Sequence, residues 1–325
     1  MSRRTQAARV ASRSYSPEQL EVPGTPRLLR LVMITLVAVA CLLAATLTGP
    51  VDEAGSAPAA TVKTKVDGVT ATLTYAQRKA GGSLRRYTKL RLTVRAAGRT
   101  TLKSVKLRGE AVESFGSRPR VSVAEVTGDG LPDVVVQVYT GGAHCCVVSA
   151  IAPSTAEGWG PLIVRNWADF GFELKDLGGT EQVEFKAWDA RFTGAFGPFV
   201  ASQTPIQVMR LQGGTFVDVT REFPEWIKQD ITDNAKAWQD AATEDDAELR
   251  GVAGRSAAGA WIANLLQLGD TAGAKAVVEA SAARGDFTGD GATFPGQLGH
   301  NLKVWGYLTD PVVIGLTDTP AAPIA

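Results

Sequence analysis

The periodicity of the chain changes once, at Pro224, and that change limits its fold more than any other feature. From Thr61 to about Thr220 the apolar residues come in short β-branched runs separated by Gly, Pro, Asp and Asn: TATLTYA, KLRLTVR, TLKSVKL, VSVAEV, DVVVQVY, CCVVSAI, VEFKAW and PIQVMRL. In KLRLTVR, Leu90, Leu92 and Val94 alternate with Lys89, Arg91, Thr93 and Arg95, the pattern of a half-buried strand with its charges on one face. After Pro224, which suits a first helical turn, Ile227, Ile231, Trp238 and Ala241 follow helical spacing. AAGAWIANLLQLGD and TAGAKAVVEASAARG read as two helices joined at Gly269-Asp270, with Gly285 as a C-terminal stop.

Ahead of both regions lies an uncharged stretch, Leu31 to Leu47, which with its flanks reaches about 20 residues, one bilayer crossing. Six arginines and two acids precede it, and Asp52 and Glu53 follow. The positive-inside rule places the N-terminus in the cytoplasm and the rest of the chain outside. A retained signal anchor is favoured over a cleaved signal peptide, which would give a secreted protein. The expected fold class is therefore α+β: an N-terminal transmembrane helix, a mainly-β extracytoplasmic domain formed as a partial propeller-like sheet or β-sandwich, and a C-terminal α-helical segment. The expected divisions are a basic tail (1–30), the anchor (31–49), a linker (50–60), the β domain (61–222), the helical region (223–309) and a loose tail (310–325).

Net charge is +1, but the two signs are segregated. Residues 61–120 hold fifteen Lys/Arg against three acids, and residues 121–325 hold thirteen against twenty-six. A basic 61–120 surface points to an anionic envelope polymer or a protein partner, and the anchor to the membrane. No nucleic-acid-binding motif is present, and nucleic acid is not an expected partner.

The segment Glu125-Val-Thr-Gly-Asp-Gly-Leu-Pro-Asp133 places oxygen-bearing side chains at alternate positions: Glu125, Thr127, Asp129 and Asp133, with the Leu131 carbonyl filling the gap. Glycines 128 and 130 let the chain curl so that these oxygens converge, as calcium requires. A weaker second loop runs from Asp286 through Thr288 and Asp290 to Gln297. There is no zinc-protease His pair, no Cys-x-x-Cys, no phosphate-binding glycine loop and no serine elbow, so no catalytic residue is assigned. Cys145 and Cys146 follow His144 directly, and Cys41, inside the apolar stretch, cannot reach them. Outside the cytoplasm they pair with each other as a vicinal disulfide, stay buried as thiols, or cross-link to another chain; metal binding and a catalytic thiol are the other readings.

The Glu125–Asp133 loop and the strand that follows resemble the FG-GAP/VCBS repeat class, the calcium-loop blades of integrin-like propellers, and Phe115-Gly116 fits the dipeptide of that name. The resemblance implies a calcium loop with Asp129 and Asp133 as matched ligands. Over residues 121–242, GDGLPDVVVQVYTGGAHCC, FELKDLGG, WDARF, PIQVM and FVDVTREFP resemble a group of uncharacterised bacterial envelope proteins that carry a Gly-Gly-Ala-His-Cys-Cys segment. In that group a second acidic loop precedes the WDARF-like segment; here it is Asp176 to Glu184. The expected function is a membrane-tethered, calcium-stabilised extracytoplasmic binding or scaffold module. The alternatives are a thiol-dependent envelope enzyme using His144, Cys145 and Cys146, and a purely structural envelope protein.

Overall fold

A computed structural model of the protein describes residues 59–98, 101–107, 113–142 and 145–320, all within one compact unit, Ser56–Ala325. Its β structure is three antiparallel sheets. The first joins β1 (Ala59–Val66), β2 (Val69–Lys79), β3 (Arg85–Ala96) and β4 (Leu102–Lys106) in that order, with β5 (Glu113–Phe115) also paired to β3. The second is a meander of β6 (Arg120–Ala124), β7 (Asp133–Gly142), β8 (Cys145–Ala152) and β9 (Ile163–Asn166). The third repeats that order with β10 (Phe172–Lys175), β11 (Glu184–Trp188), β12 (Ile206–Gln212) and β13 (Thr215–Asp218). Local chemistry sets the tight hairpins. Asp67-Gly68 links β1 to β2 and Gly213-Gly214 links β12 to β13, in each case with both residues at positive φ, as a two-residue type I′ turn demands.

The helices are α1 (Pro224–Ala241), α2 (Ala247–Gln267), α3 (Thr271–Arg284) and α4 (Phe294–Val304). Asp246 caps α2 by accepting from the amides of Glu248 and Leu249, Asp270 caps α3 through the amide of Gly273, and Gly285 ends α3 in the left-handed region at φ 91°.

The sheets and helices stack through shared cores. Leu73, Leu90, Leu92 and Val94 of the first sheet pack with Val134, Val136, Val148 and Ala150 of the second. The opposite face of the second sheet, through Val135 and Ile151, packs with Phe185, Ala187, Met209 and Leu211 of the third around Trp167. This two-sided burial explains why β7 reads as a continuous apolar run rather than an alternation. Ile206 and Val208, on the far face of the third sheet, then meet Val219, Phe223 and Ile227. Phe192 and Phe196, from the connection between β11 and β12, lie in the core formed by α2, α3 and α4.

These observations correct the expected fold class. Among the described residues no helix is long and apolar enough to cross a membrane. The longest, α2, has 21 residues but carries Glu248, Arg250 and Arg255. The expected anchor, 31–49, lies outside the described residues. The described strands do precede the four helices along the chain, but the two parts share common cores, and the content is mixed α/β with antiparallel sheets.

Candidate functional site

The acidic loop expected to hold calcium connects β6 to β7, and its carboxylates are turned onto its own backbone. Asp133 is fully buried; its Oδ2 accepts from the amides of Val126 (2.9 Å) and Thr127 (3.1 Å), and its Oδ1 from the amide of Ser154 (2.7 Å). Burial pushes the Asp133 carboxyl up to about 6, against the pull of those three N–H donors. Glu125 Oε1 accepts from the Gly128 amide (2.6 Å) and the Thr127 hydroxyl (3.4 Å), and Asp129 Oδ1 from the Leu131 amide (2.9 Å). Calcium needs six to eight oxygens pointing at one centre. Here both oxygens of the innermost carboxylate are occupied by N–H groups. Among the described residues there is no group of three or more His, Cys, Asp or Glu able to hold a metal ion. The carboxylates expected to ligate calcium thus close the turn on its own backbone.

The Asp176–Glu184 loop occupies the same place in the third sheet, between β10 and β11. Asp176 Oδ1 accepts from the amides of Gly179 and Thr180, as Glu125 does from Gly128. Glu184, fully buried, accepts from the Leu177 amide and pairs with Arg210 at 2.9 Å. Gly128 and Gly179 both sit at positive φ, and so do Gly130 and Glu181. The two meanders are thus structural repeats whose loops are closed by equivalent bonds. Sequence reading missed the repeat because the second loop keeps acids only at its two ends.

In the weaker second metal loop, Asp286 and Thr288 are likewise bonded internally. Asp286 is buried, pairs with Arg284 at 2.7 Å and accepts from the Trp238 indole at 3.1 Å, while Arg284 lies 3.7 Å over the Trp238 ring. The Thr288 hydroxyl donates to the Gly285 carbonyl, and Asp290 sits on an exposed turn. Cys145 and Cys146 open β8 with their sulfurs joined, and Thr140 Oγ1 bonds both the amide and the carbonyl of Cys146. His144 lies outside the described residues. The other histidine, His300, pairs with Asp318 at 2.8 Å.

Among the described residues, two further surfaces lie outside these loops. The first is the outer face of the first sheet. Strands β1 to β4 contain eleven Lys/Arg and no Asp or Glu. Register places Lys65, Thr70 and Arg95 in one row, Lys63, Thr72 and Thr93 in the next, and Thr61, Thr74, Arg91 and Lys106 in a third. Lys63, Lys65, Arg91, Arg95 and Lys106 are all exposed, while the opposite face is core.

The second is a cavity of about 320 Å³ between the end of the third sheet and α1, lined by Phe170, Lys186, Trp188, Trp226, Asp230 and Asp233 among others. Trp188 opens the WDARF segment. Asp189 in the same segment is buried, paired with Arg191 at 2.6 Å and bonded by the Tyr307 hydroxyl at 2.8 Å, and Phe192 enters the helical core. That segment therefore fixes Trp188 against both the sheet and the helices. The sequence marked WDARF as a family feature without revealing a cavity, because Trp226 and Asp230 come from a distant helix.

No family model matches the chain, and no solved structure matches it. Over 131 residues it is 33% identical to an uncharacterized protein of Sinorhizobium fredii, covering 39% of this chain and 20% of that protein. Over 99 residues it is 34% identical to a probable thylakoid lumen protein of Synechocystis sp., covering 28% of this chain and 27% of that protein. The chain thus spans about a fifth to a quarter of the length of these curated relatives it matches.

Proposed function

We propose that the protein is an extracytoplasmic, non-catalytic binding module that holds an anionic envelope polymer on the outer face of its first sheet. One observation carries this reading: a sheet face of exposed Lys63, Lys65, Arg91, Arg95 and Lys106, interleaved with threonines, on four strands that contain no acid. Cations two residues apart on a strand are about 7 Å apart. That lies within the Debye length of about 8 Å at physiological salt, so the rows act as one field. The threonine hydroxyls between them can bond phosphate or carboxylate oxygens. An extracytoplasmic location is supported by the lumen name of the cyanobacterial relative.

The test is retention on immobilised long-chain polyphosphate. The protein should bind at low salt and release as salt rises, and a variant with Lys63, Lys65, Arg91 and Arg95 all changed to Gln should lose at least about tenfold in affinity. Salt-insensitive retention, or equal retention of the variant, would sink this reading.

A further inference from the structure

The cavity beside the third sheet is independent of the basic face and is built from separated segments. Phe170 precedes β10, Lys186 and Trp188 lie on β11, and Trp226 and Asp230 lie on the first two turns of α1. Its volume of about 320 Å³ falls within the roughly 300–1,000 Å³ usual for small-ligand sites.

One carboxylate in it is held in a one-sided way. Asp230 Oδ2 accepts three hydrogen bonds, from the Ile206 amide (2.9 Å), Asn234 Nδ2 (3.0 Å) and Asn264 Nδ2 (2.6 Å). Asn234 and Asn264 are themselves buried. Among the described residues nothing donates to Asp230 Oδ1. The carboxylate is thus locked in orientation by one oxygen while the other is left as an acceptor. Burial raises the Asp230 carboxyl, and the bonds from Asn264 and Ile206 hold it down.

The charges around it select the ligand. Lys186, whose side chain is 16% exposed, places its ammonium 5.1 Å from the Trp188 ring and 5.2 Å from the Trp226 ring, and Lys175 lies 4.0 Å over Trp226. Lys186 and Lys175 place positive charge beside these rings, so a cationic ligand would meet like charge. An anionic ligand would meet Asp230 and Asp233. A neutral, hydroxyl-rich ring meets neither. Its C–H face packs on an aromatic wall, and its hydroxyls can donate to Asp230 Oδ1 and accept from Lys186. Trp188 and the half-exposed Phe170 supply that wall, their rings 6.4 Å apart.

We infer that this cavity is a binding site for a neutral saccharide, with the sugar ring packed on Trp188 and Phe170 and its hydroxyls bonded to Asp230 Oδ1. It is a second site, separate from the polyanion face, and the two are tested with different probes.

The experiment is titration of the intact protein with three uncharged trisaccharides, maltotriose, cellotriose and chitotriose, followed by tryptophan fluorescence and calorimetry. At least one should bind saturably at millimolar concentration or below. Trp188→Ala should weaken it by about tenfold or more. The four-site Gln variant of the basic face should bind it unchanged. Because Trp188→Ala also removes packing, Phe170→Ala is the companion variant: Phe170 is 38% exposed, so its loss should weaken the sugar while leaving the melting temperature near that of the parent. No saturable binding of any of the three sugars, binding indifferent to both aromatic substitutions, or saturation by glycine instead would each overturn the assignment.

Discussion

Asp133 and Asp230 are both carboxylates held by three hydrogen bonds, and they serve opposite ends. The donors to Asp133 are divided between its two oxygens, so the side chain closes a loop with both oxygens engaged. The donors to Asp230 all converge on one oxygen, so the group is fixed and still available. An acidic residue in a glycine-rich loop is conspicuous in a sequence. What distinguishes a site is an oxygen left over after the fold has been satisfied.

The sharpest break of this comparison is substitution by asparagine at both positions. At 133 the amide must turn its NH2 toward at least one buried N–H whichever way it sits, and Asp133→Asn should cost about 2–4 kcal/mol in a denaturant melt. At 230 the amide can keep its oxygen on the three donors and put its NH2 in the cavity, so Asp230→Asn should cost about 1 kcal/mol. Equal losses would show that the two carboxylates are held alike.

A pH series gives the next largest effect. With the folded carboxyl of Asp133 raised to about 6 from an ordinary value of 3.8, the folded state holds a proton that the unfolded chain has released between those values. Its contribution is then complete below about pH 4 and lost as pH rises through about 6, amounting to roughly 1–3 kcal/mol. The difference in stability between the parent and Asp133→Asn should change with pH across that window; a constant difference would contradict it.

The smallest expected effect is that of calcium. A ligand that binds only the folded state raises stability with its concentration. The closed loop predicts equal melting temperatures in millimolar calcium and in chelator, and a calcium-dependent rise would show that the Glu125–Asp133 bonds open to admit the ion.

Much of the local structure was legible because it depends on neighbours in the chain. The alternation of Leu90, Leu92 and Val94 is a strand, and Gly285 a helix stop. The bonding of the loops was not legible, because satisfaction is not local: Asp133 is completed by the amide of Ser154, and Glu184 by Arg210. The saccharide cavity was illegible for the same reason. Phe170, Trp188, Trp226 and Asp230 meet only when α1 docks on β12, and each reads alone as an ordinary aromatic or surface acid.

The burial of Phe192 and Phe196 among α2, α3 and α4 has a practical consequence for anyone cutting this chain. A fragment ending before Pro224 would keep all thirteen of the described strands yet bare two phenylalanine rings, together with Ile206 and Val208 on the far face of the third sheet. Such a piece should aggregate rather than fold on its own. The helices are the lid on the last sheet, and limited proteolysis should find few sites at which removing them leaves a soluble remainder.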